Sequence, residues 1–295
     1  MGKILSKIAK GKTLVSDGAW GTFLHQKGLK AEECPELWNL DRPDDVLEIA
    51  QSYVDAGADL ILTNSFGASP HKLKGYGLQD KVYGLNKAAA EISKKAAGDQ
   101  ALVLGSIGPT GIMVMMGEVP PQEIYQGFMV QARGLADGGA DGIVVETMTD
   151  PEEARLAIEA IKKVCDLEVA VTFTFSKTQT GEYRTMMGTG VEDFLEMALT
   201  AGADIIGTNC GNGTAGMIEI VKEIRALNPT VPILVHANAG LPQYQDGRTV
   251  FPESANEMAP QIKSLVTAGA NLVGGCCGTT PEHIRQIVKE LSGQE

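Results

Sequence analysis

The segment Ala268-Gly269-Ala270-Asn271-Leu272-Val273-Gly274-Gly275-Cys276-Cys277-Gly278-Thr279-Thr280-Pro281-Glu282-His283 passes from one helix, through a strand, into another helix. Its first residues read as a helix C-terminus with a glycine stop. The apolar run that follows reads as a buried strand. Thr280 suits an N-cap, with Pro281 at the first helical position and Glu282 in the first turn. The opening phrase recurs as Ala56-Gly57-Ala58-Asp59, Gly138-Gly139-Ala140-Asp141 and Ala201-Gly202-Ala203-Asp204. Each copy stands before an apolar run, so one tight helix-to-strand turn is used four times.

Eight strands are expected, over residues 13–17, 59–67, 101–109, 142–147, 169–175, 204–210, 232–238 and 271–276. The repeated turn precedes the second, fourth, sixth and eighth of them, which implies a repeating β-α-β-α unit. Segments of helical periodicity lie between strands, for example 46–56, 80–97 and 151–164. Nearly continuous apolar strands alternating with helices imply parallel strands covered on both faces. The expected fold is an α/β protein, a (β/α)8 TIM-type barrel forming one domain over residues 1–295. A doubly wound open sheet is the alternative, and no Gly-rich dinucleotide loop after the first strand supports it.

Composition narrows the function. A chain of 295 residues with 43% hydrophobic and 5% aromatic content can bury a sizeable core. Its net charge of −12 argues against non-specific nucleic-acid binding and anionic membrane surfaces, so neither partner is expected. No apolar run approaches the roughly 20 residues that cross a bilayer. The N-terminus is too short and interrupted for a secretory signal and reads as a ragged start before a short helix. Its Met1-Gly2 with Ser6 formally fits a myristoylation pattern. Five cysteines without a signal peptide point to reduced thiols and a cytoplasmic location.

The cysteines carry the chemistry. Cys276 and Cys277 end the eighth strand between glycines. Adjacent strand residues face opposite ways, but flanking glycines can let both sulfurs turn to one point. Two small core residues or a vicinal disulfide are the alternatives. Cys210, in Ile205-Ile206-Gly207-Thr208-Asn209-Cys210-Gly211, ends the sixth strand in a matching context. Three cysteines with one open position suit a catalytic zinc ion. His236 at a later strand end could close the set into a structural site. Cys34 and Cys165 have no metal-like surroundings and read as structural.

Together these residues resemble the homocysteine S-methyltransferase family, and within it the homocysteine-binding module of cobalamin-dependent methionine synthases. The resemblance runs from Asp17-Gly18-Ala19-Trp20-Gly21-Thr22 to Pro281-Glu282-His283 and is most specific from Gly274 to Thr280. It implies Cys210, Cys276 and Cys277 as ligands of Zn2+ and homocysteine as substrate. It also implies acids at Asp17 and Glu146 holding the amino group of homocysteine.

A barrel places its active site at the C-terminal strand ends. Asp17, Asn64, Glu146, Cys210, Asn238, Cys276 and Cys277 all fall there. Two acids suit an ammonium group, and backbone N–H groups near Gly18 and Gly67 are candidates for its carboxylate. Asn64 and Asn238 could equally cap turns. A free alkyl thiol near pKa 8.5 is mostly protonated at neutral pH. Zinc binding removes that proton and generates the nucleophile. The donor expected is methylcobalamin on a corrinoid protein or on further domains, since the chain has no Asp-x-His-x-x-Gly corrinoid signature. S-methylmethionine, betaine, or the reverse transfer of a methyl group from another substrate to a corrinoid protein are alternatives. A non-catalytic zinc- or thiol-binding module is the third class. The long stretch 177–187 after the fifth strand, with Met113, Met115 and Met116, suggests an adaptable apolar rim for a docking partner or ordinary loop packing.

Overall fold

The computed structural model describes residues 2–245 and 248–293. Eight parallel strands form the central sheet: β1 Leu14–Val15, β2 Leu60–Leu62, β3 Leu102–Ile107, β4 Gly142–Met148, β5 Glu168–Phe173, β6 Ile205–Gly213, β7 Ile233–Asn238 and β8 Leu272–Gly275. They pair in sequence order from β2 to β8, and β8 pairs with β1. A single parallel bridge between Ser16 and Leu60 joins β1 to β2 and closes the ring. The chain is therefore a single-domain (β/α)8 barrel, and the open-sheet alternative is excluded.

Most strands are shorter than expected because residues at their ends leave the ladder, whereas β4 runs on to Met148 and β6 to Gly213, the latter after a register shift past Asn209. Outer helices follow the strands, among them Pro43–Asp55, Val82–Ala97, Pro151–Val164 and Pro281–Ser292. The last has Thr280 as its N-cap, with His283 Nδ1 accepting the Thr280 N–H at 3.2 Å.

The recurring Ala/Gly-Gly-Ala-Asp/Asn turn has a physical explanation in the barrel. Its glycine is left-handed in all four copies, with φ of +93° at Gly57, +93° at Gly139, +95° at Gly202 and +117° at Gly269. A side chain there would be strained. The polar residue two positions on is a staple to the preceding strand. Asp59 donates its N–H to the Val15 carbonyl and accepts the Val15 N–H on its carboxylate. Asp141 does the same with Val103, Asp204 with Val169 and Asn271 with Ile233. Each staple locks an odd strand to the even strand after it. A lysine neutralises each acid, whereas the amide at Asn271 takes the Arg225 guanidinium instead.

The barrel interior changes character along its length. One buried cluster contains Leu14, Leu60, Leu62, Leu104, Val144, Ala170, Ile205, Leu234 and Leu272, at least one residue from every strand. Ile4 of the N-terminal helix Lys3–Ile8 completes this floor, and Glu168 caps that helix by accepting the Ile4 and Leu5 N–H groups. Side chains two positions apart share a strand face. One pleat above the floor, the inward positions become Ser16, Ser106, Glu146, Thr172, Gly207, His236 and Gly274. The apolar base thus ends abruptly under a polar chamber. No helix among the described residues is long and apolar enough to cross a membrane.

Candidate active site

The three expected cysteines meet at the C-terminal mouth. Their sulfurs all lie within 4.8 Å of one another, and no other group of three metal-capable side chains occurs among the described residues. Cys277 Sγ is 4.0 Å from both Cys210 and Cys276. Tetrahedral zinc with bonds of about 2.3 Å sets its sulfurs roughly 3.8 Å apart, so this donor set fits the ion in number, softness and spacing. His236 does not join it. The imidazole lies within the barrel, buried, with Nε2 unpartnered, and burial pushes its pKa down to about 4. The expectation that it could close the site is therefore not met, because its strand position points it at the chamber below the thiols.

The local chain explains the convergence. β8 stops at Gly275, so Cys276 and Cys277 are free of the alternation that would separate them. Thr279, fully buried, stitches this end: its hydroxyl donates to the Cys276 carbonyl at 2.7 Å and accepts the Ala19 N–H at 3.1 Å. A Cβ at Gly18 or at Gly275 would lie 2.6 Å or 2.2 Å from that hydroxyl oxygen. Asn238 Oδ1 accepts the Cys277 N–H at 3.1 Å, and its amide also favours the Cys210 thiolate. On the other side, β6 loses register after Asn209, and Cys210 has φ of +58°. Hydrogen bonds from Cys276 and Cys277 hold the Cys210 pKa far below the usual thiol value, while the Cys277 thiol is pushed up to about 11.

The two acids lie in the same chamber. Asp17 is almost fully buried; its Oδ2 accepts Trp20 Nε1–H at 2.8 Å and the Leu62 N–H at 2.7 Å. Its Oδ1 receives only a long contact of 3.3 Å from the Ser16 hydroxyl, so acceptor capacity remains there. Glu146 accepts the Ser106 hydroxyl on Oε1. Burial pushes both carboxyls up to about 7, and at Glu146 the nearby Asp17 and Cys210 charges add to the effect. Two buried carboxyls held above their ordinary pKa, one raised further by the charge of the other, are chemically suited to a cation.

Asn64 commits its amide nitrogen to a neighbouring segment. Its Nδ2 donates to the Pro35 carbonyl at 2.8 Å and to Asn39 Oδ1 at 3.1 Å, bracing the 35–39 segment. The Gly67 N–H is occupied by Glu36 Oε1 at 2.6 Å, which corrects its expected part in holding a carboxylate. Cys34 donates to Glu36 at 3.2 Å and Cys165 to the Ile161 carbonyl at 3.5 Å, both remote from the cluster. Sequence reasoning missed Asn209, Thr147 and Thr279, whose side chains shape the strand ends. Asn209 stood beside Cys210 in plain view, but nothing in a linear sequence shows which backbone a buried amide will brace. Around the mouth, Phe66, Met113, Met115, Met116, Met186, Leu241 and Tyr244 are exposed, on loops after β2, β3, β5 and β7.

The fold and site define a parallel barrel enzyme with a three-thiol cluster and two buried acids at its C-terminal mouth. Residues 14–291 match the family described as Homocysteine S-methyltransferase. The chain belongs to that family. It is 31% identical over 307 residues to the methionine synthase of Mycobacterium leprae (strain TN), covering 98% of this chain and 25% of the relative. The methionine synthase of Mycobacterium tuberculosis (strain ATCC 25618 / H37Rv) is 31% identical over 302 residues with the same coverage. The chain thus spans about a quarter of the length of these relatives. The metallated form of the Escherichia coli homocysteine methyltransferase MmuM superposes with a TM-score of 0.79 at 22% identity, covering 97% of this chain and 99% of that one. At that identity the match speaks to the fold.

Proposed function

We propose that this barrel binds homocysteine and activates its thiol for methyl transfer, giving methionine. The observation that carries the reading is the shared chamber: a three-sulfur cluster and two proton-hungry buried acids at one barrel mouth. An amino acid with a thiol side chain has a group for each. Asp17 and Glu146 receive the ammonium group, which neutralises two carboxylates that burial otherwise disfavours. Gly18 leaves backbone room beside them, with its N–H assigned to the substrate carboxylate. Asn238 orients the thiol cluster, and Asn64 acts at one remove by bracing the 35–39 segment.

Cys210, Cys276 and Cys277 would hold Zn2+, which when bound supplies a fourth position where the substrate thiol loses its proton and becomes nucleophilic. The substrate sulfur then attacks the donor's methyl carbon, and the donor departs with the electron pair of its broken bond. The aliphatic floor closes the chamber from beneath.

The donor favoured is a methyl-corrinoid, methylcobalamin held by a separate protein or by further domains. The methionine synthases to which the chain is similar are four times its length, which supports a shared, multi-part reaction. The exposed methionines of the rim give such a partner a compliant apolar surface. A small donor such as S-methylmethionine or betaine is the second reading, supported by the near end-to-end match to the single-barrel Escherichia coli homocysteine methyltransferase. A transfer assay with homocysteine and methylcobalamin, S-methylmethionine, betaine and S-adenosylmethionine separates these readings. Turnover with the corrinoid alone is expected, and no methionine from any donor would refute the assignment.

A further inference from the structure

Among the described residues only two that are not glycine have left-handed backbone, Thr147 at φ +62° and Cys210 at φ +58°. Such a conformation is disfavoured, most of all for a β-branched residue, and persists only where the surroundings enforce it. One side chain bonds directly to the first and belongs to the residue next to the second. Asn209, fully buried, immediately precedes Cys210. Its Oδ1 accepts the Thr147 N–H at 2.8 Å and the Thr172 hydroxyl at 2.7 Å, and its Nδ2 donates to Thr147 Oγ1 at 2.8 Å. Its own carbonyl accepts the Thr174 hydroxyl at 3.0 Å. Every polar group of the side chain is used, and β5 is gripped between the two strained strand ends.

Thr147 follows Glu146, and Asn209 precedes Cys210. The clamp therefore ties the backbone of an ammonium-binding acid to the backbone of a thiol-cluster cysteine. We propose that Asn209, through Thr147, is a positioning residue that sets the distance between these two subsites and so selects substrate chain length. This rests on the reading of the site as one for homocysteine. Cysteine carries the same end groups on a chain one methylene shorter, with its sulfur about 1.5 Å short of the same place. Ligand bonds at such a centre tolerate roughly 0.2 Å, so a rigid frame rejects the shorter thiol and a loosened frame accepts it.

The test is calorimetric titration of zinc-loaded wild-type protein, Asn209→Ala, Thr147→Val and Thr147→Ser with homocysteine and with cysteine. Zinc content and melting temperature are measured on each sample. Wild type is expected to prefer homocysteine by about 100-fold, the discrimination a single methylene allows. Asn209→Ala and Thr147→Val should narrow this below about 10-fold with zinc retained, and Thr147→Ser should restore it. Thr147→Val keeps the β-branch and loses only one hydrogen bond, so it carries the test if Asn209→Ala fails to fold. A full preference in folded, zinc-loaded variants overturns the inference. A wild type without any preference overturns the homocysteine reading itself, and the inference with it. A crystal structure of Asn209→Ala provides an independent reading, because Thr147 or Cys210 should relax out of the left-handed region.

Discussion

Replacing Glu146 by Gln should make the protein more stable and the site worse. Glu146 is buried, and its pKa is raised from 4.5 to about 7, first by burial and then by the neighbouring Asp17 and Cys210 charges. A folded-state pKa above the unfolded one means that the native state holds the proton more tightly. The associated stability is complete below pH 4.5 and is lost as pH rises through 7. At pH 8 the ionised carboxylate therefore costs the fold about 3 kcal/mol, and at pH 5 less than about 1 kcal/mol. Glutamine keeps the oxygen that accepts the Ser106 hydroxyl and carries no charge. In a protein of this size about 3 kcal/mol corresponds to roughly 5–10 °C in melting temperature. Melting curves at pH 8 should rise by about that much for Glu146→Gln and scarcely change at pH 5. Homocysteine binding should weaken by about 1.5–3 kcal/mol, the range for a hydrogen bond to a charged group, with zinc content intact. Opposite signs in stability and affinity mark a residue kept for binding. A variant with unchanged melting at pH 8 and unchanged affinity would refute the placement of the ammonium group at Glu146.

Three further outcomes are expected. Purified protein should bind about one zinc per chain, and Cys210→Ala, Cys276→Ala and Cys277→Ala should each lose most of it by metal analysis; full retention in all three would end the metal reading. Shortening the 177–187 stretch should leave zinc and homocysteine binding nearly unchanged while slowing transfer from a corrinoid protein more than transfer from free methylcobalamin; equal slowing of both would assign the loop to the reaction chamber instead. At the repeated turn, Asp204→Ala should cost about 1–3 kcal/mol in denaturant unfolding by orphaning the Val169 N–H. Asp204→Asn should cost much less, since Asn271 already does this task with an amide; equal losses for the two variants would show that charge with Lys162, and not the staple, matters there.

The barrel was legible in the chain because its signals are local. A helix stop needs a left-handed glycine and a stapled strand needs a short acceptor beside it, so four copies of one turn announce a repeating unit. The cysteines were legible for a similar reason: thiols beside glycines end two separate apolar strands, and a barrel brings all its strand ends to one mouth. The carboxylates Asp17 and Glu146 could be read from their strand-end positions, though only the closed barrel puts them in one chamber where burial raises both pKa values. Other properties depend on contacts between residues far apart in sequence. The Gly67 N–H was available on paper and is taken by Glu36 from another loop, and His236 stands inside the barrel instead of beside the thiols. Likewise, nothing along the chain marks Thr147 as left-handed, because that conformation is unfavourable for threonine by itself. It exists because the buried amide of Asn209 reaches across β5, and only the folded barrel brings residues 147, 172 and 209 together.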